Sequence, residues 1–214
     1  MPIPLKPLRT VEAGAIATSE FEDRKSVFYG HIAHVESERE AIELRHSVMA
    51  QIPEASHYIS AYIIREPALE HYSDAKEPHG TAGLPVLNVL KSHGLEDVAC
   101  VVARVFGGTL LGKGGLMRAY TKAAQLAVAE ARIVVGTPCN DLLVSIEYPL
   151  YEPLRAQLEG WGVQVLSESF AEAVTLELRV AAAECELICE RVRNLSSGRA
   201  EVVVGPEELA FLEA

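Results

Sequence analysis

The stretch Phe106-Gly107-Gly108-Thr109-Leu110-Leu111-Gly112-Lys113-Gly114-Gly115-Leu116-Met117-Arg118 decides how the first half of the chain is read. A continuous apolar run, Val98 to Val105, leads into it, and an alanine-rich segment, Leu116 to Ala131, leads out. The expected order is therefore strand, glycine-rich turn, helix. Five glycines between positions 107 and 115 are costly in conformational entropy. A chain tolerates that where its backbone turns sharply or approaches something closely. A turn running into a helix N-terminus also presents free N–H groups and the positive end of a dipole, which suits an anion. Arg104, Lys113 and Arg118 punctuate the same stretch.

Upstream, Ala13–Thr18 and Val27–Val35 read as strands. Ser37-Glu38-Arg39-Glu40 is a capping-box pattern, opening a helix whose Ile42, Leu44, Val48, Met49 and Ile52 form an apolar stripe stopped at Pro53. His57–Arg65 reads as a third strand, residues 66–83 as a polar loop, 85–92 as a short helix and Asp97–Phe106 as a fourth strand. An α+β domain with its helices on one side of the sheet is expected. A break is expected at Gly136-Thr137-Pro138, separating domains 1–136 and 137–214. Beyond it the order is strand-helix-strand-strand-helix-strand, the split βαβ or ferredoxin-like arrangement. Its two helices would cover a face lined by Leu142, Val144, Ile146, Leu176, Leu178, Val180, Val202 and Val204. The other face shows Glu147, Thr175, Glu177, Arg179 and Glu201, without the aromatics on which an RNA-binding sheet of this type stacks bases.

Composition bounds the function. The net charge of −11 is uneven: residues 1–136 carry a net of −2 and residues 137–214 a net of −9. An acidic half repels phosphate backbones, so any polyanion contact is expected from the first half. No apolar run is long enough to span a bilayer, and Met1–Pro7 lacks the apolar core of a secretory leader. Cys100, Cys139, Cys185 and Cys189 have no C-x-x-C spacing and read as reduced packing residues of a cytoplasmic protein.

Gly107-x-x-x-x-Gly112-Lys113 has phosphate-loop spacing. However, Gly114 stands where a Ser or Thr should hold Mg²⁺, and Leu110-Leu111 put bulk where bare backbone should wrap phosphate. Close packing of the helix on the sheet explains part of the glycine content. Arg104, at the end of an apolar strand, needs a carboxylate partner or a bound anion. Asp74 and Glu77, in the loop His71 to Gly83, are candidate partners for Arg104 and Arg118. His71, Asp74, Glu77 and His79 are residue types that suit zinc, but nothing in their spacing fixes a geometry; no metal or cofactor is expected. Glu77 with His57 or His79 would make a general acid–base pair, and no Ser or Cys nucleophile accompanies them. His31, His34, His46 and His93 read as surface or packing residues.

Two segments carry a family resemblance: Ser73-Asp74-x-x-Glu77-Pro78-x-Gly80-Thr81-Ala82-Gly83-x-Pro85 and Arg104-x-Phe106-Gly107-Gly108-x-x-Leu111-Gly112-x-Gly114-Gly115-Leu116-x-Arg118-Ala119-Tyr120. With Ser26-x-Phe28, His57 and Tyr62 they resemble the signature of the YigZ/IMPACT family over residues 18–130. The resemblance implies that domain 1–136 has a ribosomal-protein-domain-2-like α/β sandwich fold, and that domain 137–214 is like an elongation factor G domain. It also implies a link to regulation of translation and translation initiation, through the ribosome, RNA or a translation-associated protein, with no secure enzymatic activity. Where the family usually reads Asp-Asp-Gly-Glu-Pro, this chain has Ala75 and Lys76 in the second and third places. Lys113 stands for a usual Thr, Val105 for a Tyr and Leu84 for a basic residue.

The leading expectation is thus a non-catalytic binding protein in which Lys76, Thr81, Arg104, Gly107, Gly108, Gly112, Lys113, Gly114, Gly115 and Arg118 contact an anion or nucleic acid. A small-molecule enzyme using Glu77, His57 and Asp74 in the same cleft is the alternative, and a protein–protein interaction module the third.

Overall fold

A computed structural model describes residues 5–211 of the 214-residue chain. The first four residues of the stretch read for a leader lie outside them. The structure is α+β and divides into two compact units, one of Arg9–Val134 and one that joins Val135 onward to the residues up to Leu8. The order is β1 (Leu8–Val11), β2 (Ile16–Asp23), β3 (Ser26–His34), α1 (Glu38–Gln51), β4 (His57–Ile64), β5 (Leu69–Ser73), α2 (Gly83–Ser92), β6 (Val98–Val105), α3 (Gly112–Glu130) and β7 (Ile133–Ile146). It continues with α4 (Tyr148–Leu158), β8 (Gln164–Phe170), β9 (Val174–Ala181), α5 (Cys185–Leu195) and β10 (Glu201–Phe211).

The first unit is built on an antiparallel sheet in the order β2-β3-β6-β4-β5. Both faces of its central strand are buried, which is why β6 reads as a continuous apolar run. Val98, Cys100 and Val102 face α2 and α3, while Ala99, Val101 and Ala103 face α1. The helices therefore lie on both sides of the sheet, not on one. Ala41, Leu44 and Val48 form the buried face of α1, and Ile42 and Met49 from the expected stripe are exposed. The capping box operates: Ser37 accepts from the Glu40 N–H, and Glu40 accepts from the Glu36 N–H. Strand β5 occupies part of what reads as a polar loop, and β1 was not expected.

The second unit has the order β10-β7-β9-β8, antiparallel throughout, with a helix after its first and third strands. That is the split βαβ arrangement expected from the sequence. Leu142, Val144, Ile146, Leu176, Leu178 and Val180 are buried with Leu154, Leu158, Ile188 and Val192 of α4 and α5. Val204, expected on that face, is exposed, because β10 is an edge strand and its register shifts immediately after it. Gly136-Thr137-Pro138 lies inside β7, where it pairs with Leu209–Phe211, and the two units divide just before it, between Val134 and Val135. The four cysteines are free thiols. No helix among the described residues is long and apolar enough to cross a membrane.

Candidate functional site

One end of the first sheet gathers most of the residues singled out above. Arg104, next to last in β6, stands between two neighbours in register, Phe28 of β3 and His57 of β4. Its side chain, 5% exposed, donates from Nη1 to Glu77 Oε1 at 2.7 Å and from Nη2 to the Ser26 hydroxyl at 3.3 Å. The guanidinium also stacks near Phe28 and Phe106, each 5.5 Å away. Tyr120, fully buried on α3, donates to the same Glu77 oxygen at 2.8 Å. Burial, then the Glu77 charge, pushes the Tyr120 phenol well above its usual range, so it stays a donor. The buried cation that the sequence required a partner for is therefore matched by Glu77.

His57 completes the group. Its Nδ1 lies 2.9 Å from the Ala75 carbonyl, which can only accept, so Nδ1 carries the proton in the neutral ring. Nε2 lies 3.9 Å from Glu77 Oε1, an ion pair whenever the ring is protonated. Glu77 is delivered by a tight turn closed by its own N–H on the Asp74 carbonyl, with Ala75 and Lys76 at φ 43° and 70°. Both central residues are left-handed, the mirror-image turn that favours Gly or Asn. A family glycine at position 76 would relieve a conformation that Lys76 holds under strain.

Asp74 does other work. Its Oδ2 accepts from the Gly80 N–H and its Oδ1 from those of Ala82 and Gly83, so it caps α2 from outside the helix. Burial acts to raise its pKa, but these three N–H groups outweigh it and hold the carboxyl below its ordinary value. Asp74 is thus neither a partner of Arg118 nor a free acid. Thr81, expected at an anion, is buried and donates its hydroxyl to the Pro78 carbonyl.

The glycine stretch also resolves into parts. Gly107 donates to Ser26 Oγ, and a Cβ there would run into the Lys25 carbonyl, so this glycine is required by close approach. Gly112 to Gly115 form the first turn of α3 rather than a loop before it. Leu111 precedes that helix at the N-cap position and makes no side-chain cap, and the first turn holds no acidic residue. Its N-terminal N–H groups therefore face outward with Lys113 beside them.

Between these elements lies a cleft of about 510 Å³. Glu77, His57, Arg104, Gly112 and Lys113 line it together with Pro78, Phe106, Leu110, Leu111 and Leu116. Lys76, Gly108, Gly114, Gly115, Arg118, Asp74 and Thr81 do not line it. Arg118 lies exposed on α3, its Nη1 over Gly114. Among the described residues no group of three His, Cys, Asp or Glu is placed to hold a metal ion, and His71 stacks on Tyr62 at 4.9 Å. The apolar wall was missed by sequence reasoning. Its one signal was Phe106 beyond the end of a buried strand, where a ring must either fold back or stay in solvent. It is 44% exposed.

Residues 24–128 match the model of the Impact N-terminal domain, and residues 144–199 match a domain of unknown function, DUF1949. The IMPACT family member YvyE of Bacillus subtilis is 33% identical over 88% of this chain and 87% of its own length. The chain belongs to the IMPACT family. The family member YigZ of Escherichia coli is 28% identical over 94% of this chain and 96% of its own. A Thermus thermophilus IMPACT family member is 38% identical over 73% and 85%. A crystal structure of a protein described only as hypothetical superposes with a TM-score of 0.59 at 27% identity, covering 95% of this chain and all of that one. The Glu77–Arg104–Tyr120 network and the cleft lie within the part matched by the IMPACT N-terminal model.

Proposed function

We propose that this IMPACT protein is a non-catalytic binding protein of the cytoplasm that regulates translation by associating with the ribosome or its RNA, and that domain 1–136 makes the contact. One observation carries this reading. The uncapped start of α3, with Lys113, opens onto a cleft whose buried carboxylate is already matched by a guanidinium and a phenol. Such a site offers an anion a place beside a carboxylate whose charge is already matched. Co-sedimentation with ribosomes at rising salt tests it. Association should weaken steeply with salt, and Lys113→Ala should weaken it further while reducing the log–log slope by about 1. No association at low salt, or a slope indifferent to Lys113→Ala, overturns the proposal.

The arrangement of His57 Nε2 toward Glu77 supports a second reading, acid–base chemistry on a small molecule in the same cleft. It suffers from Glu77 Oε1 already accepting two hydrogen bonds. An activity screen decides it: a turnover abolished by Glu77→Gln and by His57→Gln would favour the enzyme.

A further inference from the structure

The charge around the cleft is larger than the glycine stretch alone supplies. Strands β2 and β3 join through a two-residue turn, Arg24-Lys25, with Asp23 paired to Ser26 and φ values of 49° and 66°. This is the mirror-image hairpin turn, where Asn-Gly is the unstrained choice. Two exposed cations stand there instead, both in the left-handed region. Their position is fixed against the site: the Lys25 carbonyl packs on Gly107, and Ser26 binds both Arg104 and the Gly107 N–H.

Several cations of the first unit have partners, acidic in Lys91–Glu70, Arg104–Glu77 and Arg132–Glu12, a carbonyl for Arg45 and the Phe21 ring for Lys122. Among the described residues Arg24, Lys25, Lys76, Lys113 and Arg118 have none. Of these, Lys113 lines the cleft and the Arg24–Lys25 turn is held beside its Gly107 end, in a chain of net charge −11. Between them stand an exposed ring, Phe106, and an exposed apolar side chain, Leu110. Lower in the cleft are the His57 ring and Arg104, whose buried Nε–H has no acceptor among the described residues. Cations alone would suit any polyanion. Cations beside an aromatic-walled cleft suit alternating phosphates and planar bases.

We infer that this end of the first unit binds single-stranded RNA, with one nucleobase seated in the cleft against Phe106 and the flanking phosphates held by Lys113 and the Arg24–Lys25 tip. The cleft volume is that of an ordinary small-ligand pocket. A base can enter it only when unstacked, so duplex RNA does not fit the site. The inference rests on the anion-binding reading above, and narrows it to one polymer and one strand state.

Fluorescence anisotropy with a labelled oligoribonucleotide of about eight nucleotides tests it, against the same sequence as a duplex and against inorganic polyphosphate. The single strand should bind most tightly. Phe106→Ala should weaken it by roughly fivefold or more, the loss of one base–ring stack, and Phe106→Tyr should restore it. The double change Arg24→Ala and Lys25→Ala should lower the salt slope by about 1.4. Arg24 and Lys25 are exposed and Phe106 is half-exposed over the Arg104 guanidinium, so circular dichroism and urea unfolding of each variant check that the fold is kept. Equal binding of polyphosphate and single strand, or full binding by Phe106→Ala, overturns the inference. Ribosome association without binding of the single strand also overturns it and leaves the broader proposal standing. Single-strand binding without ribosome association does the reverse.

Discussion

The two units hold their principal carboxylate–guanidinium pairs in opposite ways. In the first, Glu77 and Arg104 are each 5% exposed and share their charge with Ser26 and Tyr120. In the second, Asp141 and Arg179 meet through two parallel hydrogen bonds of 2.8 and 2.7 Å, yet each is about a third exposed. Desolvating an ion pair is expensive, and a fold retains one where the geometry it fixes has a use. The buried pair fixes the wall of a cleft. The exposed pair joins two neighbouring strands and is one of several on that unit's surface.

The largest test of this contrast removes one partner. Glu77→Gln should cost about 3–5 kcal/mol, because Arg104 remains buried without its counter-charge. Asp141→Asn should cost less than about 1 kcal/mol. Urea unfolding followed by circular dichroism measures both, and similar costs would erase the distinction. Replacing both members, Glu77→Leu with Arg104→Met, should recover much of the loss.

Glycine gives a second contrast. Gly107→Ala forces a Cβ against the Lys25 carbonyl and should cost about 1–3 kcal/mol in the same unfolding measurement. Gly160→Ala, in the second unit, meets nothing within 4 Å and should change stability by no more than about 0.5 kcal/mol. A smaller gain is expected from Lys76→Gly, which relieves a left-handed residue and should raise stability by roughly 1 kcal/mol.

The smallest effect separates two acids. The Arg179 hydrogen bonds hold Asp141 below the ordinary carboxylate value against the opposing pull of burial. Asp74 is held low by backbone N–H groups. Both are depressed in the folded state, so each contributes stability that is complete above the unfolded value of 3.8 and is lost as pH falls through the folded value. Roughly molar salt should return Asp141 toward 3.8 and leave Asp74 nearly unmoved, since screening acts on exposed charge. Carboxyl-carbon NMR titrations at low and high salt read both shifts.

Much of this was legible from residues alone. Apolar periodicity found the second unit's βαββαβ order, because each strand there has one buried and one solvated face. The same logic failed for β5, an edge strand whose Glu70 and His71 are exposed and whose alternation is therefore weak. It failed for the side on which α1 packs, because the central strand β6 is apolar on both faces and favours neither. The need of Arg104 for a partner followed from burying a charge. That Asp74 would cap α2 did not, since its acceptor role depends on a turn folding Gly80, Ala82 and Gly83 back onto it. Arg24 and Lys25 escaped notice because their importance comes from a hairpin placed beside Gly107, a neighbour eighty residues away in sequence.

The uneven charge has a kinetic consequence. A body carrying −11 repels a polyanion from afar, while Lys113 and the Arg24–Lys25 turn attract it only at short range. At very low salt the long-range repulsion slows encounter. Near a Debye length of about 10 Å the repulsion is screened and the local attraction survives. Added salt then weakens the local contact as well. The association rate for an RNA strand should therefore pass through a maximum at intermediate ionic strength, rather than falling steadily as it does for a protein that is basic throughout.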